Sequence, residues 1–240
     1  MVRALAVVVA VVCLPTTAGA GRTHYGWLFG TEVMPERGAE IQSWVGEQNR
    51  ESLKQTTWGI QALAGVTDQL ELALPVELLW QRGDGVPGTF TFASYGIEAR
   101  YRFVTQDPVD APPFAPLVRV AIERDVRVRD TVRAEVDLVG SYEVDAIHAL
   151  VDIGFVGDIS QESSSFEIRP GAGVSYRVAG DLRLGAEVYG ELSFDTPEKR
   201  WFAAGPNLAY GHGRFWMSAA LGIGLYQIQT APRVQWGIAF

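Results

Sequence analysis

Three histidines, His24, His148 and His212, are the residues best able to move a proton near neutral pH. Asp152 follows His148 by four positions. In an extended strand, residues four apart share a face, so the carboxylate could orient the ring and let it act as a general base. A plain hydrogen bond or ion pair inside the protein accounts for the same pair. No serine-centred nucleophile motif accompanies it. His212 lies in Gly211-His212-Gly213, which reads as a tight turn, and His24 precedes the first strand, outside any barrel. No metal-ligand spacing or glycine-rich phosphate loop is present, so neither a metal nor a cofactor is expected. The Gly-x-Gly pairs at 171–173 and 222–224 fall inside strands, where they ease packing or bend the wall.

The elements that position these residues are set by a period of two. Leu70, Leu72, Leu74, Val76, Leu78 and Trp80 fall on one face of an extended segment. Glu71, Ala73, Pro75, Glu77, Leu79 and Gln81 fall on the other. The same alternation recurs along the chain and predicts strands over 39–46, 56–66, 70–81, 89–103, 117–127, 132–143, 147–157, 165–178, 182–194, 201–210, 214–226 and 232–240. Several are longer than the ~5–6 residues usual in soluble proteins. They match the ~9–11 residues that a tilted strand needs to cross a bilayer. Tight turns at 67–69, 144–146, 179–181 and 211–213 alternate with more polar loops, which would be the periplasmic and extracellular ends respectively. The fold predicted is all-β, a transmembrane antiparallel up-and-down β-barrel of about 12 strands, with residues 39–240 as the barrel. A soluble β-sandwich alternates too. Aromatics near strand ends (Trp80, Phe103, Tyr142, Phe166, Phe194, Phe215) and small residues on the polar faces favour the barrel.

Two places fit less well. Asp107-Pro108 to Pro116 is a long connection where a short periplasmic turn is expected. Arg124 falls on the lipid face beside Val118, Val120 and Ile122, where a mid-membrane charge costs roughly 2–4 kcal/mol. A bulge must reset the register there, or Arg124 must lie at the outer rim.

The start of the chain reads as an export signal. Arg3 gives a positive end, Ala4 to Leu14 an apolar run, and Ala18-Gly19-Ala20 a cleavage site, so residues 1–20 are a signal peptide. Cys13 lies within the apolar run after Val12, which excludes a lipoprotein site. Cleavage leaves no cysteine. Residues 21–38, with Tyr25, Trp27, Leu28 and Phe29, form a periplasmic N-terminal leader, either packed on a surface or entering the lumen. The net charge of −8, with Lys54 and Lys199 the only lysines, disfavours nucleic acid as a partner.

Parity turns many charges inward. The lumen-lining candidates are Glu71, Glu77, Glu98, Arg100, Arg102, Arg119, Arg133, Asp137, Asp152, Arg169, Arg177, Arg183, Glu187 and Glu191. They could set the preference of a pore. They could equally neutralise one another and close it.

At the other end, Val234, Trp236, Ile238 and Phe240 alternate with Gln235, Gly237 and Ala239. This resembles the C-terminal assembly signal of bacterial outer-membrane β-barrel proteins, with Trp236 and Phe240 as its aromatics. The resemblance implies outer-membrane lipid and the barrel-assembly machinery as partners. More loosely, the chain is similar to short-looped transporter-type barrels, including the family tied to the meta-pathway of phenol degradation. The function expected is a passive or selective channel for small solutes. A closed structural or assembly barrel is the alternative. An outer-membrane hydrolase using His148 is a third reading, since some such barrels of the phospholipase A and omptin types are enzymes. They use a histidine with serine and asparagine, or with aspartate pairs.

Overall fold

The computed structural model describes residues 23–240 apart from Asp84, Val86, Pro108, Arg129 and Glu162. The signal peptide expected at 1–20 lies outside the described residues. Twelve strands close into one barrel in which each pairs antiparallel with its chain neighbour. They are β1 (Ala39–Asn49), β2 (Leu53–Gly65), β3 (Leu70–Gly83), β4 (Thr89–Arg102), β5 (Phe114–Asp125) and β6 (Thr131–Val144). β7 (Ile147–Ile159), β8 (Ser164–Ala179), β9 (Leu182–Ser193), β10 (Trp201–His212), β11 (Phe215–Tyr226) and β12 (Thr230–Ala239) complete it. β12 closes on β1 with Ile41 opposite Ile238 and Val45 opposite Val234. Closure leaves no strand edge exposed, which a spanning sheet requires.

The two faces separate as the period of two demands. Leu72, Leu74, Ile97, Ile122, Leu138 and Ile223 stand exposed on the outside. The intervening positions turn inward and are buried although polar, among them Glu71, Glu98, Arg119, Asp137 and Asp152. A water-soluble protein buries the apolar set, so this inversion marks a wall made for lipid. Arg124 keeps its place in an unbroken β4–β5 register. It lies at the outer end of β5, where it donates to the carbonyl of Thr131 and sits 3.9 Å from Asp130.

Both β1 and β12 meet the same end of the barrel, here termed the inner end. Three of its connections are two-residue turns whose first residue takes left-handed backbone, Asp145 (φ 54°), Gly180 (φ 52°) and Gly213 (φ 59°). Such geometry matches the twist of tight hairpins. The β2–β3 connection spans 66–69, and that from β4 to β5 is much longer and contacts another segment. Gln106 donates from Nε2 to the carbonyl of Val33 at 2.9 Å. That carbonyl belongs to the segment preceding β1.

Candidate functional site

The segment Thr23–Gly38 runs inside the barrel. Tyr25, Leu28, Val33 and Met34 are buried there. This differs from the surface-leader reading of 21–38, and it corrects the expectation for His24. That ring lies against His148, 4.7 Å between centroids, not outside the barrel. Tyr25, Leu28 and Val33 pack with Leu117, Val139 and Leu150, and Met34 packs with Leu63, Ala73 and Ala239. The segment therefore plugs the inner half of the lumen.

The segment contains no helix or strand, so its backbone groups need partners from the wall. Three carboxylates supply them. Glu187 accepts the backbone N–H groups of Gly26 and Trp27, both at 3.0 Å. Asp152 accepts that of Phe29 at 3.1 Å, and Glu71 that of Met34 at 2.6 Å. Ser218 and Gln235 donate to the carbonyl of Tyr25 at 2.7 and 2.8 Å. Arg102 donates to that of Thr31 at 2.9 Å. Small wall residues make the space. A Cβ at Gly171 would come within 2.2 Å of Leu28, and one at Gly173 within 2.3 Å of Tyr25. That pair of glycines accommodates the plug's side chains.

His148 and Asp152 do share a face, as their spacing predicts, and both are buried. No hydrogen bond joins them among the described residues. The hydroxyl of Tyr25 lies 3.0 Å from His148 Nδ1 and donates to the His148 carbonyl at 3.0 Å. Each member of the supposed dyad holds the plug instead. Burial pushes the Tyr25 phenol above its ordinary pKa. Burial, then the His148, Arg183 and Arg177 charges, hold His24 well below 6.5.

Above the plug, the remaining charges form one lattice. Glu98 bridges Arg100 at 2.6 Å and Arg119 at 2.7 Å. Arg119 bridges Glu135 at 2.9 Å and Asp137 at 2.6 Å. Glu135 bridges Arg169 at 3.2 Å, which also meets Glu167 at 2.5 Å and Glu191 at 3.9 Å. Glu71 joins through Arg100 at 3.7 Å. The lattice thus ties β3, β4, β5, β6, β8 and β9. The plug's Phe29 ring lies beneath it, 4.2 Å from the Arg119 guanidinium and 5.4 Å from that of Arg100, close enough for cation–π attraction. Arg133 pairs with Asp158 at 2.8 Å. At the inner rim, Arg177 and Arg183 both reach Glu143. Arg177 is exposed there and does not line the interior.

A cavity of about 580 Å³ remains between plug and outer end. On one side it meets the charged lattice. On the other it meets Gln42, Trp44, Gln48, Gln55, Thr57 and Gln61 of β1 and β2. Glu77 and Arg233 also face it. Arg233 is missing from the residues picked out by sequence, although outward Val234 and Trp236 imply its inward parity. Trp236 stands opposite Ser43 and Met217 across the closing seam, and the Phe240 N–H donates to the Ala39 carbonyl at 2.8 Å.

Comparison with solved structures agrees with this geometry. The KdgM porin in complex with disordered oligogalacturonate matches with a TM-score of 0.56 at 12% identity, over 84% of this chain and 99% of that one. An outer-membrane channel from Pseudomonas putida F1 matches with a TM-score of 0.58 at 10% identity, over 88% and 98%. The β domain of the Bordetella autotransporter BrkA gives 0.58 at 11% identity, over 85% and 99%. The chain has the fold of outer-membrane porins and channels. No protein-family model matches the sequence, and no curated protein matches it.

Proposed function

We propose that this protein is a gated channel for small solutes in the bacterial outer membrane, closed at rest by its own N-terminal segment. On this reading the inner end faces the periplasm, the chain is exported through a signal peptide cleaved after Ala20, and the barrel-assembly machinery inserts it. The observation that carries the reading is the contrast between the two halves of the lumen. The outer half holds a cavity, while the inner half is filled by an element held mainly through side chains and not counted among the strands. A barrel needing only a solid interior could fill it from its walls, as narrow barrels do. The inward residues Glu77, Glu98, Arg100, Arg119, Arg133, Asp137, Arg169 and Glu191 would face the solute. Glu71, Asp152 and Glu187 would seat the gate. The same plug and the saturated ion-pair lattice favour a second reading, a permanently closed structural barrel.

A disulfide lock separates the two. Thr31 Oγ on the plug lies 2.6 Å from Ser141 Oγ on β6. Cysteines there can approach a disulfide's ~2.05 Å sulfur separation with little movement. The double variant T31C/S141C should show no openings in planar bilayers when oxidised, and transient openings when reduced. Conductance unaffected by oxidation would remove the gate. Silence in both states and in the unmodified protein, across a range of salts, would leave the closed barrel.

A further inference from the structure

We infer that the outer cavity contains a carboxylate-binding subsite centred on Arg233. The subsite deepens the channel reading and rests on it for its part in transport, but binding there requires no conduction.

Arg233 differs from the other inward arginines. Arg100, Arg119, Arg127, Arg133, Arg169 and Arg183 each pair with a carboxylate. Arg102 donates to a plug carbonyl. Among the described residues, Arg233 has neither an ion pair nor a hydrogen bond, and its Nε is buried without an acceptor. A guanidinium taken from water and left without an anion is costly unless something else holds it.

The surroundings hold the cation and keep it ready. Gly46 lies beside Arg233 across the seam, and the arginine's stem crosses it, with Cγ 3.5 Å from where a Cβ would stand. The guanidinium lies 5.1 Å from the Trp27 ring and 5.9 Å from that of Trp44. Two indoles attract the charge without using its hydrogen-bond donors. The neighbouring wall of β1 and β2 offers amides and hydroxyls, Gln48, Gln55 and Thr57, in place of carboxylates. Two carboxylates bear on the site from elsewhere. Glu187 has both oxygens engaged by the plug. Glu77 of β3 faces the same cavity outside ion-pair distance of Arg233.

These features select the ligand. A guanidinium presents paired donors that match the two oxygens of a carboxylate. Three cations of the cavity, Arg50, Lys199 and Arg233, have no ion pair among the described residues. Arg50 donates to two carbonyls and Lys199 is exposed, which leaves Arg233 as the buried guanidinium without a protein anion, and Glu77, Glu123 and Glu191 also line the space. A singly charged carboxylate matches the single charge of Arg233, whereas a dianionic phosphate exceeds it and meets more repulsion from these carboxylates. The cavity volume suits a small organic acid, since small-molecule pockets span ~300–1,000 Å³.

Calorimetric titration of the refolded full chain in detergent tests the assignment, using benzoate against benzamide and glucuronate against glucose. At least one carboxylate should bind ten times or more tightly than its neutral counterpart. That preference should vanish in R233Q and fall several-fold in R233K, which keeps a charge but loses the fork. Equal binding within both pairs, or no binding of any probe, overturns the subsite without recourse to a variant. A preference that survives in R233Q also overturns it. Carboxylate binding by a protein that never conducts keeps the subsite and removes the channel reading.

Discussion

Glu187 is the residue on which the plug's seating most depends. Its two oxygens accept adjacent backbone N–H groups, and Asn207 lies 3.4 Å from one of them. In E187A both N–H groups lose their acceptor in a buried place, at about 1–3 kcal/mol each. E187A should therefore raise open probability in bilayers at least tenfold and expose residues 23–38 to protease. E187Q, which keeps one acceptor oxygen, should do less. Glu187, Asp152 and Glu71 were all legible in the sequence as inward carboxylates, because alternation fixes the face. Their partners were not legible. Parity says where a side chain points, but it carries no information about a backbone N–H arriving from a distant, aperiodic segment. For that reason His148 and Asp152 looked like a dyad and proved to be two separate anchors.

Among the elements, the strands were the easiest to read. Those predicted at 70–81 and 182–194 appear as Leu70–Gly83 and Leu182–Ser193, since lipid on one side and polar groups on the other hold the pattern over the full crossing. The plug was hardest, because no periodicity marks an element whose backbone is bonded mainly by wall side chains. The signals that could have found it were on the wall: Gly171, Gly173 and Ser218 leave a hollow that only a guest would fill. The element also has a pH dependence. His24 is held well below 6.5 while the plug is seated, by burial and then by His148, Arg183 and Arg177. Once released into water, it returns to about 6.5. The seated form thus binds fewer protons than the released form. The contribution of His24 to the seated form is full above about pH 6.5 and declines as pH falls through that value, at up to about 1.4 kcal/mol per pH unit. Relative to H24F, the unaltered protein should open more often as pH falls from 7.5 to 5.5. A pH profile unchanged in H24F would assign the effect to other groups.

At the scale of the whole molecule, the barrel is polar within and apolar without. Leu74 stands mid-strand on β3, 59% exposed. L74R should lower unfolding free energy in lipid vesicles by roughly 2–4 kcal/mol, the cost of a cation at the midplane. An arginine there with no effect would argue that this band does not face lipid. Charge is unevenly spread inside as well. The ion-pair lattice ties β3 to β6, β8 and β9, while the cavity wall of β1, β2 and β12 offers amides, indoles and Arg233. In the channel proposed above, such an asymmetric lumen would give a solute one wall to slide along and another to be held by.

The plug and the barrel are one covalent chain, joined where Gly38 leads into Ala39 at the rim. In the gated channel proposed above, a stopper on such a short tether would remain at an effective concentration of order millimolar after it leaves its seat. Reclosing is then intramolecular, independent of how many copies the membrane holds, and a free peptide of the same sequence competes only near that concentration. Each barrel thus carries its own inhibitor in fixed one-to-one ratio. On that proposal, the duration of an opening would be set by how long the tethered inhibitor stays away.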